Sequence, residues 1–205
     1  MYLKLDNKIV NLFIFSSIFF GIFIRIYNIN YDDFWFDEIV SFWVSDPSIS
    51  IKESFDRNNM AEGSGFLYNF ILKLIYNLFQ YEPNIGRYVS SIFSILSIFT
   101  LTYLSKLVSK NNSHLLTLFL VSFNVFLILY SMESRFYSFL FFLTNLNLIF
   151  LFKVIEYDKK NKNFKIYLYL FFFTQIISIL THLFSIIVFF SIAVFCVLNY
   201  LLYLS

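Results

Sequence analysis

Apolar residues run along this chain in six long stretches that are separated by short polar breaks. The stretches cover about 9–27, 88–105, 114–131, 136–152, 166–181 and 183–204. Each has about 16–22 residues, close to the length at which an α-helix crosses the hydrocarbon layer of a bilayer. Because open β-structure would leave unpaired backbone groups in lipid, the pattern predicts an all-α, polytopic transmembrane helical bundle with about six spans.

A seventh apolar stretch, 66–81, differs from the others because polar residues recur along one side of it. Asn69, Lys73, Asn77 and Gln80 are spaced by four, four and three residues, which places them on one helical face. A lysine near the middle of a span would cost about 2.5–3.5 kcal/mol. We therefore interpret 66–81 as an amphipathic juxtamembrane helix that lies in the interface. Lys73 would then extend its ammonium group toward water, and contact with a phosphate is the sharper alternative.

The distribution of lysines tests this interpretation, because cytoplasmic loops carry an excess of positive charge. The lysines that flank the spans are Lys4, Lys8, Lys106, Lys110, Lys153, Lys159, Lys160, Lys162 and Lys165. All of them face the cytoplasm if 66–81 does not span, whereas the later loops move outside if it does. The first topology makes about 28–87 one external loop and places the turns at 131–135 and 181–182 on the same outer face.

The composition agrees with a multi-pass protein of the cell (inner) membrane, since 59% of the residues are hydrophobic and 23% are aromatic. The single cysteine, Cys196, excludes a disulfide within the chain, and no Cys/His metal motif occurs. We interpret 1–205 as a single membrane-embedded domain. Because it stops at the end of a span, we expect it to be truncated at its C-terminus.

A tandem acid pair, Asp37 and Glu38, follows the first span and is flanked by Trp35 and Phe36. Neighbouring residues point in different directions on any regular element, so we expect separate roles. One carboxylate could accept a proton from a hydroxyl, while the other orients it or holds a metal ion. Burial among the aromatic side chains would raise the pKa of such a carboxyl. Two surface carboxylates without a role are the alternative.

Several basic residues lie on the outer face, where the lysine rule does not favour them: Arg25, Arg57, Arg87, Arg135 and His182. An anionic partner such as a phosphate would explain them. For Glu133 and Arg135 an equally good explanation is local, because Ser131 or Ser134 could cap the next helix and the two charges could pair. His182 could likewise be a packed polar residue at a helix end.

Six short segments occur in an order that is typical of one enzyme class. They are Arg25, Phe34-Trp35-Phe36-Asp37-Glu38, Phe66-Leu67-Tyr68, Arg87-Tyr88-Val89-Ser90, Glu133-Ser134-Arg135-Phe136-Tyr137 and Thr181-His182-Leu183-Phe184. In this order the chain resembles the GT-C class of polyprenyl-phosphate-sugar-dependent glycosyltransferases, and most closely the branch that contains protein O-mannosyltransferases and the aminoarabinose transferase of lipid A. It departs from that pattern at Glu62-Gly63-Ser64-Gly65, where the class has His-Pro-Pro or Lys-Pro.

The resemblance implies an inverting transfer of a sugar from a polyprenyl-phosphate carrier to a lipid, glycan or protein acceptor on the periplasmic face. It implies that Asp37 is the general base and that Glu38 supports it. The residues expected to bind substrate are Tyr68, Lys73, Arg87, Glu133, Arg135 and His182. Nothing in the spacing of these residues demands a cofactor, although a divalent metal ion could bind through Glu38 or Glu133. Membrane lipid is the other expected partner, and nucleic acid is not expected.

Two hypotheses from other classes stay open on the sequence alone. A transporter or flippase for a lipid-linked saccharide would need ionisable groups near the middle of the bilayer, broken helices or internal repeats. The predicted spans contain almost no charge, glycine or proline, which favours the transferase. A non-catalytic membrane subunit, or a truncated remnant of a transferase, would be indifferent to the identity of Asp37.

Overall fold

All the secondary structure in the described part of the chain is helical. The computed structural model describes residues 7–27, 29–30, 32–61, 65–109, 112–157 and 161–204, with only the backbone of 196–204. Its helices are α1 (Asn7–Ile26), α2 (Phe36–Val44), α3 (Ile51–Ala61), α4 (Leu67–Leu78), α5 (Pro83–Val108), α6 (Ser113–Phe123), α7 (Val125–Ser131), α8 (Tyr137–Glu156), α9 (Lys162–Thr181) and α10 (Ser185–Leu204). Lys4, Lys110, Lys159, Lys160 and the Glu62-Gly63-Ser64 departure lie outside the described residues.

Four of these helices, α1, α5, α8 and α9, are long and apolar enough to cross a membrane. The pair α6 and α7 also qualifies when taken together, but the two helices are bent by 51° relative to each other. The predicted sixth span corresponds to α10, of which Ser185–Phe195 is described as a shorter apolar helix. The all-helical fold is therefore confirmed, with four or five helices that could cross a membrane, and the predicted number of six spans is not confirmed.

The predicted external loop 28–87 contains three short helices, α2, α3 and α4, at one end of the long helices. Gly65, just before α4, lies so close to the end of α9 that a Cβ there would come within 2.1 Å of the Leu180 carbonyl oxygen. Three buried residues of α4, Tyr68, Leu72 and Tyr76, form an apolar cluster with residues of α5 and α8. This outer layer therefore packs on the bundle through close backbone contact and a common core.

The expectation that the polar side of 66–81 faces water is wrong for its first half. Asn69 and Lys73 are both buried. The Asn69 amide donates to Asn58 Oδ1 of α3 at 2.8 Å. The Lys73 ammonium donates to the backbone carbonyls of Ile49, at 2.8 Å, and of Asp46. Lys73 thus satisfies carbonyls in the connection between α2 and α3, which the sequence pattern of α4 alone does not reveal.

The predicted span 114–131 is divided at Asn124, which separates α6 from α7. Asn124 has an extended backbone (φ −66°, ψ 119°), and its side chain caps α7 by accepting from the Leu127 N–H at 3.0 Å. A helix end leaves its last carbonyls without intrahelical donors. The guanidinium of Arg25 supplies the missing donors at the end of α6. It donates to Val121 O at 2.8 Å and to Ser122 O at 2.9 Å.

Arg25 is fully buried, and its other contacts are also within the chain. It donates to Gly21 O and to the hydroxyl of Ser94, both at 2.8 Å. The expectation that an external anion explains this arginine is therefore wrong, because carbonyl oxygens and a hydroxyl take its place. In lipid, carbonyls without donors cost several kcal/mol each, so Arg25 makes the bend tolerable.

We expect the Arg25→Met variant to lose about 2–5 kcal/mol of unfolding free energy, because two buried carbonyls would lose their donors. Denaturant unfolding in detergent micelles, followed by circular dichroism, measures the loss. Arg57→Met is the matched control. Arg57 pairs with Glu53 at 2.7 Å and donates to Trp43 O at the surface, so its loss should cost less than about 1 kcal/mol. Equal losses in the two variants would contradict the assigned role of Arg25.

Candidate functional site

The tandem acids occupy the first turn of α2, near its positively polarised N-terminus. Glu38 also accepts from the backbone N–H of Trp35 at 3.2 Å, which is one half of a capping box. The prediction that the two acids face different sides is confirmed. Glu38 is 1% exposed, whereas the side chain of Asp37 is 63% exposed.

Glu38 forms a buried ion pair with Arg87, the fifth residue of α5. Its Oε1 accepts from Arg87 Nε at 2.9 Å, and its Oε2 accepts from Arg87 Nη2 at 2.8 Å. The backbone N–H of Ser134 donates to Oε1 at 2.7 Å. With the Trp35 N–H, each carboxylate oxygen accepts two hydrogen bonds. One side chain therefore joins α2, α5 and the loop between α7 and α8.

The remaining N–H groups of Arg87 bind backbone carbonyls in the segment that follows α1. Nη1 donates to Ile29 O at 3.3 Å and to Asp32 O at 3.0 Å, and Nη2 donates to Asp33 O at 3.1 Å. The guanidinium also stacks over the ring of Phe34 at 4.1 Å. All five N–H groups thus have acceptors. This geometry favours a positioning role for Arg87 over the direct binding of a donor phosphate.

Asp37 lies in the open, next to Arg135. The Arg135 Nη2 is 3.9 Å from Asp37 Oδ2, and its Nη1 donates to Asp37 O at 3.1 Å and to the Ser41 hydroxyl at 3.0 Å. The expected burial of this carboxylate among aromatic rings is wrong, because Trp35 and Phe36 are 65% and 77% exposed and project outward. Asp37 is accessible to a substrate on a backbone that is held at several points.

Glu133 supplies a second carboxyl beside this cluster. It lines a cleft of about 90 Å³ together with Arg87, Asp32 and Trp35. Burial is the main cause that raises its pKa, and the negative charge of Glu38 acts in the same direction. The arginines Arg87 and Arg135 oppose this shift. A partly buried carboxyl with a raised pKa is suited to exchange a proton or donate a hydrogen bond.

The expected capping of α8 by a serine is wrong. The residue before α8 is Phe136, and it makes no side-chain capping hydrogen bond. The Ser131 hydroxyl donates to Ile128 O at 2.6 Å, within α7. Ser134 contributes its backbone N–H to Glu38 instead, a contact that the sequence did not predict.

Three further predicted site residues are His182, Tyr68 and Lys73. The ring of His182 stacks on the ring of Phe136, with 4.3 Å between their centroids, and Phe136 follows Arg135 in the chain. The Nδ1 of His182 accepts from the Phe184 N–H at 3.1 Å. Tyr68 is buried below the cluster, where its hydroxyl contacts the Ser90 hydroxyl at 2.8 Å and burial raises its pKa. Lys73 is occupied at the connection between α2 and α3, as described above.

Glu38 does not fit the expected role of metal ligand, because both of its oxygens already accept two hydrogen bonds each. Among the described residues, no group of three or more His, Cys, Asp or Glu side chains is placed to hold a metal ion.

Comparison of the chain with protein-family models, with curated proteins and with solved structures found no match. The resemblance to GT-C glycosyltransferases consequently rests on the order of the sequence motifs. The structure adds that Asp37, Glu38, Arg87, Glu133 and Arg135, which come from three separate segments, belong to one cluster.

We expect Glu38→Gln to cost about 3–5 kcal/mol of unfolding free energy, because it leaves the buried Arg87 without a countercharge. Asp37→Asn should cost less than about 1 kcal/mol, since its pair with Arg135 is exposed on the acid side. The two isosteric changes at adjacent residues are each other's control in denaturant unfolding. A cost of similar size in both variants would contradict the assignment of Glu38 as the positioning residue.

We expect Glu133→Gln to stabilise the protein at neutral pH. A carboxyl whose pKa is raised in the folded state favours the fold while it is protonated, and this advantage is lost as the pH rises through the raised pKa. The glutamine variant avoids that loss. Thermal unfolding should therefore show a higher midpoint for the variant at pH 7 and no difference at pH 4, where both forms are neutral. A lower midpoint at pH 7 would refute the argument.

Proposed function

We propose that this protein is a membrane glycosyltransferase that moves a sugar from a polyprenyl-phosphate carrier to an acceptor hydroxyl at the outer face of the cell membrane. The observation that best supports this proposal is that the two acids differ in burial and in partners. Glu38 is locked in a buried pair with Arg87, and this leaves the neighbouring Asp37 exposed on a fixed backbone beside Arg135. A fixed, accessible carboxylate is what a general base requires.

In this proposal Asp37 accepts the proton of the acceptor hydroxyl while that oxygen attacks the anomeric carbon of the sugar. The bond from the anomeric carbon to the carrier oxygen breaks, and its electron pair leaves with the phosphate. The base must keep its direction throughout. The hydrogen bond from Arg135 to the Asp37 carbonyl and the anchoring of Glu38 both restrain the backbone at this point.

The leaving phosphate requires a positive partner, and Arg135 is the better candidate of the two arginines in the cluster. It contacts the Asp37 carboxylate, whereas Arg87 has all five N–H groups engaged with Glu38 and with backbone carbonyls. The proposal therefore assigns Arg135 to the donor and keeps Arg87 as a positioning residue. His182 is assigned to the same wall of the site, because its ring stacks on Phe136 and the Arg135 guanidinium lies 5.2 Å from the centroid of the Phe136 ring.

The broken pair of α6 and α7 is a feature that a transporter would also show. The break leaves the carbonyls of Val121 and Ser122 without intrahelical donors, but Arg25 donates to both of them. These two carbonyls at the bend are thus not available to a passing saccharide. The cluster at the end of the helices, by contrast, has an exposed carboxylate and a cleft.

The orientation of the site follows from the lysine distribution. Arg87 near the start of α5 belongs to the acid cluster, and Lys106 near its end lies at the opposite end of the same helix. The positive-inside rule assigns the lysine-rich end to the cytoplasm, so we assign the acid cluster to the periplasmic or external side of the cell membrane.

Sugar transfer by membranes that contain the native chain is the test, with radiolabelled polyprenyl-phosphate sugars and acceptors from the envelope. We expect Asp37→Asn to reduce the rate about a hundredfold or more, because it removes the base without changing the shape of the side chain. Asp33→Asn is the matched control. Asp33 is a nearby exposed aspartate of which only the backbone carbonyl contacts Arg87.

Equal expression of the variants is checked by immunoblotting. Transfer that persists in Asp37→Asn would refute the assignment of the base. Absence of transfer by the native chain would favour a non-catalytic membrane subunit, and saccharide movement across vesicles without transfer would favour a transporter.

A further inference from the structure

A second groove lies between α1, α5 and α6, at the end of the bundle opposite to the acid cluster. It has a volume of about 230 Å³. Its walls are apolar along most of their length, with Ile14, Ile18, Phe99, Leu115 and Leu118 contributed by all three helices. Lys106 and Arg87 are about 28 Å apart along α5, at about 1.5 Å per residue, so the two sites are separated by almost the full hydrocarbon thickness.

Two basic side chains stand on the walls of this groove where it meets the helix ends. Lys106 is exposed, and within the described part of the chain it has neither a carboxylate nor a hydrogen-bond acceptor as partner. His114 lies on the facing wall, and its Nδ1 is buried without a hydrogen-bond partner among the described residues. A buried polar nitrogen without a partner is costly, and a bound ligand would remove that cost.

The N-terminus of α6 adds to the positive potential at the same place. Helix α6 begins at Ser113, and the side chain of Asn112 before it makes no capping hydrogen bond. The first turn of this helix carries His114, and the Leu115 N–H in the same turn donates to Asn112 O at 3.0 Å. Amide groups at a helix start, an ammonium group and an imidazole nitrogen together form a suitable environment for a phosphate.

We propose that this groove binds an anionic glycerophospholipid of the cytoplasmic leaflet. Its headgroup phosphate would contact Lys106, His114 and the start of α6, and one acyl chain would follow the apolar walls along Ile14 and Leu118. The apolar length of the groove selects a lipid over a soluble phosphate, because a soluble anion would leave these walls unused. Basic pockets between helices on the cytoplasmic side are typical sites for such lipids.

The contrast with Lys153 separates this proposal from the ordinary excess of cytoplasmic lysines. Lys153 lies near the same end, in the last turn of α8, and it is paired with Glu156 at 2.6 Å. Its charge is thus balanced within the chain, whereas that of Lys106 is not. The inference does not depend on whether the protein transfers a sugar.

The purified full chain in detergent micelles, supplied with equal amounts of phosphatidylglycerol and phosphatidylcholine with identical acyl chains, tests the proposal. Native mass spectrometry measures the ratio of the two bound lipids. We expect preferential binding of phosphatidylglycerol, and we expect Lys106→Gln to reduce the preference about fivefold, which corresponds to one lysine near an anionic headgroup. His114→Ala should reduce it as well. Lys165→Gln, which removes a charge from the N-terminal turn of α9, should leave it unchanged.

A second pair of measurements tests the lipid nature of the ligand. Thr102→Trp, which fills the groove without changing its charge, should reduce the binding of both lipids. Excess glycerol phosphate should not displace phosphatidylglycerol. Circular dichroism confirms that each variant keeps its helices. The proposal is overturned if Lys106→Gln keeps the preference, if Lys165→Gln loses it equally, or if Thr102→Trp binds both lipids like the native chain.

Discussion

The buried ion pair between Glu38 and Arg87 is the interaction on which the outer layer of this protein depends. Moving two charges out of water costs several kcal/mol per ion, and only complete hydrogen bonding offsets that cost. The pair meets this condition, since both carboxylate oxygens and all five guanidinium N–H groups have partners. Because those partners belong to three separate segments, the pair fixes their relative positions, and with them the position of Asp37.

Basic side chains bind backbone carbonyls at other irregular points of the chain as well. Arg25 binds the carbonyls at the bend between α6 and α7, Lys73 those of the connection between α2 and α3, and Arg87 those of the segment after α1. Cations within the chain thus replace the donors that regular helices would supply. This explains positive residues on the disfavoured face without an external anion. Of these basic residues, Arg135 is therefore the one that we propose to bind a phosphate.

Hydrophobic periodicity was sufficient to predict the long helices and to separate 66–81 from them, because spans of lipid-crossing length leave a strong signal. It could not reveal α2 and α3, which are short and stabilised by their contacts. The bend at Asn124 depends on one polar residue in an apolar run, and on Arg25 far away in the chain. Likewise, because Asp37 and Glu38 are neighbours in the chain, the sequence predicted that they face different sides. Which of them is buried is determined by Arg87, which lies in a different helix and pairs with Glu38.

Helix α5 connects these features, because one of its faces carries buried serines where larger residues would hold neighbours apart. The Ser91 hydroxyl contacts the carbonyls of Arg25 at 3.0 Å and Ser131 at 2.8 Å, and the Ser90 hydroxyl donates to Arg135 O at 3.2 Å. In lipid, helices associate through close packing and such hydrogen bonds, since burial of apolar surface provides little drive. A shift of α5 by one turn would break these contacts together with the pair of Glu38 and Arg87. The position of α5 along its axis is therefore specified by polar contacts, which hold the backbone of Arg135 through Ser90 and the start of α2, with Asp37, through the pair of Arg87 and Glu38.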